Sequence, residues 1–138
     1  MTAAPTFFLR RQGSALRWPL AAAAVAAAVA HVPVIGSHLH EAPYMGVLFI
    51  VLTAACFGLA ATAVVHDSAA VYAASVVTCG LAIVGYAATR LVAFPMLADD
   101  VGNWLEPLGV ASITSELAVV ACALIALRRD AAPRPVTA

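Results

Sequence analysis

A chain of 138 residues that is 64% hydrophobic and 10% charged cannot be an ordinary water-soluble domain, in which charged residues approach about 25%. Its formal net charge of zero offers no bulk attraction to nucleic acid or to acidic substrates. Four apolar stretches, each near the roughly 20 residues that a bilayer core requires, take up most of the chain and leave no length for a separate soluble domain. The expected fold is all-α: a transmembrane four-helix bundle of two helical hairpins over residues 18–129, with the lipid bilayer as its solvent.

Residues 1–17 contain Arg10, Arg11, Arg17, Gly13 and Ser14, and are expected to form a disordered or surface-lying tail. Basic residues ahead of an apolar run also have the form of a secretory signal peptide. The run from Trp18 to Ile35 is longer than a signal's apolar core and carries His31, so it reads as a retained first helix. Trp18 at interfacial depth and Pro19 in the first turn start that helix, and Pro33 with Gly36 are expected to end it. Residues 37–44 then read as a polar loop.

A second helix is expected over 43–65, opened by Pro43 and free of charge throughout. His66-Asp67-Ser68 reads as a tight connection in which Asp67 or Ser68 caps the third helix. That helix is expected over 68–94, with Pro95 as its stop. Residues 98–106 form a second polar loop, and a fourth helix is expected over 107–127, followed by a disordered tail from 130 to 138.

Basic residues stay on the cytoplasmic side of a membrane, and six of the arginines (Arg10, Arg11, Arg17, Arg128, Arg129 and Arg134) flank the first and last helices. An even number of spans places both termini in the cytoplasm of a multi-pass plasma (inner) membrane protein, with the two polar loops outside. The second and fourth helices open alike, Glu41-Ala-Pro43-Tyr-Met-Gly46 and Glu106-Pro107-Leu-Gly109, as an internal duplication or simple helix-start chemistry would give.

Charge within a span costs about 2.5–3.5 kcal/mol per group on insertion scales, so Arg90 and Glu116 are functional candidates that need partners. At 1.5 Å per residue they lie roughly 8 and 13 Å below the same surface, and the reach of Arg makes an Arg90–Glu116 ion pair the expected arrangement. It would serve as structural glue or as part of an ion-binding site. His31 enters the same layer, Ser112 lies one turn from Glu116, and Tyr86 one turn from Arg90. Tyr72, Cys79 and Tyr86 follow at heptad spacing, as either a polar path or helix packing.

The expected outer loops hold His38, His40 and Glu41 in the first and Asp99, Asp100 and Glu106 in the second. Imidazole with carboxylate suits a divalent transition metal such as zinc or copper; the other reading is a solvated polar cap. Cys56, Cys79 and Cys122 are single and widely spaced, with no disulfide or CxxC pattern. A bis-His haem within the membrane is disfavoured, because His31 lies near the outer face and His66 near the inner one, with no other intramembrane His to pair with either. Phosphate-loop, GxSxG and HExxH motifs are absent.

The runs Leu97-Ala-Asp-Asp-Val-Gly-Asn-Trp-Leu-Glu-Pro-Leu-Gly109 and His38-Leu-His-Glu-Ala-Pro-Tyr44 carry a resemblance. Over about residues 22–129 the chain resembles small four-helix integral membrane proteins of high-GC Gram-positive bacteria, a source that the Arg-only, Ala-rich composition matches. The resemblance implies the same topology and no catalytic residue, and points to the two polar loops with Arg90 and Glu116. The functional expectation is a protein that binds a metal or other cation at its outer face for transport, sensing or delivery. The alternative is a non-catalytic accessory subunit, homo-oligomeric or within a larger membrane complex, packing through the small-residue surface of residues 21–30. An intramembrane metal-dependent hydrolase would need more convergent ligands than the chain supplies.

Overall fold

The structure, a computed structural model, describes residues 9–131. Four helices carry it: α1 over Arg17–Glu41, α2 over Pro43–Val65, α3 over Ala69–Leu91 and α4 over Pro107–Ala131. A short 3-10 turn, Ala98–Asp100, lies in the α3–α4 connection. All four helices are long and apolar enough to cross a membrane, and no more than 28% of any span is buried inside the molecule. The exposed remainder includes Val51, Phe57, Val77, Leu81 and Leu117, a surface that only hydrocarbon would accommodate at this density.

The interior is built from the small residues. Leu20, Ala21, Ala24, Ala27, Ala28 and His31 are buried on α1 at the three- and four-residue intervals of one helical face. They meet Cys56, Ala60 and Ala63 of α2, Tyr72 and Cys79 of α3, and Val119, Ala123 and Ala126 of α4. Between apolar helices in lipid no hydrophobic force operates, and close backbone approach through small side chains replaces it. α1 packs along both α2 and α4, α3 packs along α4, and α2 and α3 meet only sparsely.

Glycine permits one of these approaches. A Cβ on Gly46 would stand 2.7 Å from the Leu39 backbone nitrogen and side chain, so the last turns of α1 and the first of α2 touch only because position 46 has none.

Helix α1 does not stop at Pro33 and Gly36, as expected from sequence, but continues to Glu41. A proline removes one backbone bond and crowds the preceding turn. Without water to compete for the freed groups, a membrane-spanning helix carries on through such a position. The stop comes at Ala42 (φ −142°, ψ 80°), which Pro43 forces out of the helical region. The expected polar loop 37–44 is therefore the end of α1, one linking residue and the start of α2.

Helix α3 ends at Leu91 rather than Phe94, because the Gly102 N–H takes the Arg90 carbonyl (2.9 Å) and turns the following chain back across the helix end. Helix α4 runs to Ala131, beyond the expected end at 127; of the expected C-terminal tail, residues 132–138 lie outside the described residues.

The expected N-terminal tail is also partly ordered, while residues 1–8 lie outside the described residues. Neither Asp67 nor Ser68 makes the expected side-chain cap of α3. The Asp67 carboxylate instead accepts from the Ser14 N–H (2.9 Å), the Arg17 guanidinium (3.2 Å) and the Tyr72 hydroxyl (2.5 Å). Its carbonyl accepts from the Gln12 N–H at 2.7 Å. The strand-like bridge Arg11–Ser68 completes a strap that holds the N-terminal segment over the α2–α3 turn.

Candidate functional site

At the end of the bundle opposite this strap, a chamber of about 900 Å³ lies among all four helices. The lining is mainly apolar, and its polar groups fall into a mouth and a floor. The mouth is held by the segment that follows α3. Arg90 bonds the Asp100 carboxylate at 2.9 Å and the Asp100 carbonyl at 3.3 Å, with its guanidinium carbon 4.5 Å from the Tyr86 ring. The Tyr44 hydroxyl donates to the Pro95 carbonyl (2.7 Å) and the Tyr86 hydroxyl to the Trp104 carbonyl (2.9 Å), so α2 and α3 each tie the segment down.

The expected Arg90–Glu116 ion pair is not formed: Arg90 takes Asp100, and Glu116 faces His31. Depth along the helix axis placed Arg90 and Glu116 in neighbouring layers, but Asp100 folds back over the end of α3 and reaches the guanidinium first. Its sequence signal was the ten-residue separation across Pro95, which closes a short return.

The floor is His31 and Glu116, 5% and 1% exposed. His31 Nδ1 lies 2.6 Å from the Ala27 carbonyl, and its Nε2 lies 3.6 Å from Glu116 Oε1. A carbonyl oxygen only accepts, so Nδ1 carries a hydrogen. Neutral His31 then turns a bare Nε2 lone pair toward a carboxylate oxygen, and two acceptors face one another. Uncompensated charge is costly here, and a single proton on either group, giving imidazolium–carboxylate or imidazole–carboxylic acid, would relieve the opposition.

Several hydroxyls in the spans are satisfied by their own helices, as Ser75 on the Val71 carbonyl and Thr114 on the Val110 carbonyl illustrate, while the buried Thr53 hydroxyl has no partner. Glu116 Oε1 is a buried carboxylate oxygen that makes no hydrogen bond, since His31 Nε2 at 3.6 Å stands beyond hydrogen-bond reach. Ser112, 7% exposed and one turn away on α4, lines the same chamber. Phe49 was not singled out from the sequence; its ring stands 5.3 Å from that of His31 and 4.9 Å from that of His38, closing the α1 wall.

The six residues expected to attract a metal do not gather. His38, Asp100 and Glu106 line the chamber mouth, whereas His40, Glu41 and Asp99 are exposed and outside it. His38 is committed through Nδ1 to the Val34 carbonyl at 2.8 Å. Asp100 is committed to Arg90. Glu106 caps α4 by accepting from the N–H groups of Leu108 and Gly109. Among the described residues, no three His, Cys, Asp or Glu side chains are grouped closely enough to hold a metal ion.

Tyr72 and Cys79 lie fully buried on the core face of α3, and Tyr86 continues that face to the mouth. Compared with protein-family models, with curated proteins and with solved structures, the chain finds no match in any of the three.

Proposed function

We propose that this multi-pass membrane protein binds a cation in the chamber, with Glu116 as its counter-charge and with the bound cation replacing the proton shared by His31 and Glu116. The observation that carries this reading is Glu116 Oε1, buried in the chamber floor and making no hydrogen bond, with His31 Nε2 the group that faces it at 3.6 Å. A buried acceptor of this kind costs about 1–3 kcal/mol while unsatisfied, and more when charged, which a positively charged guest would recover. The cation class expected from the sequence is kept, and its centre moves from the polar loops to the bundle interior.

The distribution of Arg supports a mouth at the outer face of the plasma membrane. Arg10, Arg11, Arg17, Arg128 and Arg129 belong to the opposite end, where the Asp67 turn also lies. Calorimetric titration of the purified protein with sodium, zinc and tetraphenylphosphonium ions tests the reading. Binding of at least one of these should vanish in Glu116→Gln and persist in a His38→Ala, His40→Ala double variant. Binding that survives Glu116→Gln but is lost in the double variant would contradict the chamber site and return the cation to the end of α1.

A further inference from the structure

The chamber is far larger than an inorganic ion needs and matches the roughly 300–1,000 Å³ of sites that enclose organic ligands. It is also poor in the oxygen and nitrogen ligands a small ion requires in place of its water shell, as the lack of any metal-sized grouping among the described residues states in another way. Its walls are Leu48 and Val51 from α2 and Val77 and Leu81 from α3. These four side chains are all more than half exposed, because α2 and α3 barely touch. The chamber therefore opens sideways, where the bilayer would be, as well as at its mouth.

The charge balance inside it is specific. Three carboxylates line the chamber: Asp100 is neutralised by Arg90, and Glu106 is held by the N–H groups that begin α4. Glu116 remains, opposed by His31 from α1, with the Cys56 and Cys79 thiols of α2 and α3 beneath it and His38, Tyr44 and Tyr86 nearer the mouth. With the shared proton gone, the floor carries a single negative charge in an apolar enclosure, and Phe49 offers an aromatic face of the kind that attracts diffuse cations.

We infer that the occupant is a lipophilic organic monocation, which enters from the bilayer between α2 and α3 and seats its charge against Glu116 as the His31–Glu116 proton leaves to solvent. The inference rests on the reading of Glu116 as a counter-ion and adds the class of guest. One cation enters and one proton departs, so the charge of the chamber is unchanged.

Tetraphenylphosphonium and tetraphenylborate have the same shape and opposite charge, and equilibrium dialysis of each against the full chain in lipid nanodiscs tests the inference. Gly85 faces open space in the chamber wall, with nothing within 4 Å of a Cβ built there, so Gly85→Phe narrows the chamber without touching the floor. Ala82→Phe, one turn earlier on the same wall, repeats the blockade independently. Saturable binding of tetraphenylphosphonium should weaken roughly tenfold or more in Glu116→Gln and in both blocked variants, with no saturable binding of tetraphenylborate. Equal binding of the two ions would overturn the inference in favour of a neutral or lipid occupant. Sodium or zinc that binds through Glu116 and ignores the blockade, while tetraphenylphosphonium does not bind, would overturn the organic class and leave the counter-ion reading standing. If no cation senses Glu116→Gln, both fall.

Discussion

At the scale of single residues, the molecule concentrates its buried polarity at two carboxylates that are handled in opposite ways. Asp67 is fully buried and saturated: an amide, a guanidinium and a phenol all donate to it, and its backbone sits at φ 43°, in the left-handed region. Asn tolerates that conformation far better than most residues. Asp67→Asn should therefore keep the turn and lose the charge, whereas Asp67→Ala strands Arg17, Tyr72 and the Ser14 amide together. Breaking a buried pair costs about 3–5 kcal/mol, less where one partner is part-exposed as Arg17 is, so unfolding in detergent should rank the native chain above Asn and Asn above Ala. Equal stability of all three would remove the strap from the account. Glu116 is equally buried but has an oxygen that makes no hydrogen bond, the contrast on which the proposed counter-ion role rests.

At the scale of elements, two contacts decide how the helices sit. Gly46→Ala pushes a Cβ into the backbone of α1, and overpacking of that kind costs about 1–3 kcal/mol; Gly58→Ala on the same helix meets nothing within 4 Å and should be neutral or better. Thermal unfolding of the two variants side by side measures the α1–α2 approach directly. The α3–α4 segment is a second such element. Arg90→Ala removes its bond to Asp100, so amide hydrogen exchange should rise across residues 92–106 while the helix cores keep their protection. Uniform protection in that variant would mean that the Tyr44 and Tyr86 hydroxyls, with the Gly102 N–H bond to the carbonyl of residue 90, hold the segment without the ion pair.

The elements also mark what the sequence could reveal. The bounds of α2 were legible to the residue, because Pro43 starts it and His66-Asp67 ends it by purely local chemistry. The end of α1 was not, since Pro33 and Gly36 are breakers by the standards of water, and the residue before Pro43 was the true stop. For the site, the sequence marked His31, Arg90, Glu116, Tyr86 and Ser112 as one intramembrane polar cluster, and all five line the chamber. It could not say which neighbour Arg90 would choose, because that depends on how residues 92–106 fold back, a matter of turn geometry rather than of depth. The spread of the six expected metal residues has the same origin: placing His38 and His40 on a helix two residues apart points them to different sides.

At the scale of the whole molecule, four apolar helices enclose a core of small and polar side chains and turn their large apolar side chains outward. A cysteine at exposed position 99 (Asp99→Cys) should react in intact cells with a membrane-impermeant thiol reagent, and one at position 66 (His66→Cys) only after the membrane is opened. The reverse pattern would invert the placement proposed for the chamber mouth. Within that frame the central claim is an exchange: one cation in, one proton out, at His31 and Glu116. Counting protons released into weak buffer as tetraphenylphosphonium saturates the purified protein tests it most directly. The account predicts one proton per cation bound in the native chain and none in Glu116→Gln; a cation that saturates the native protein without releasing a proton would contradict it.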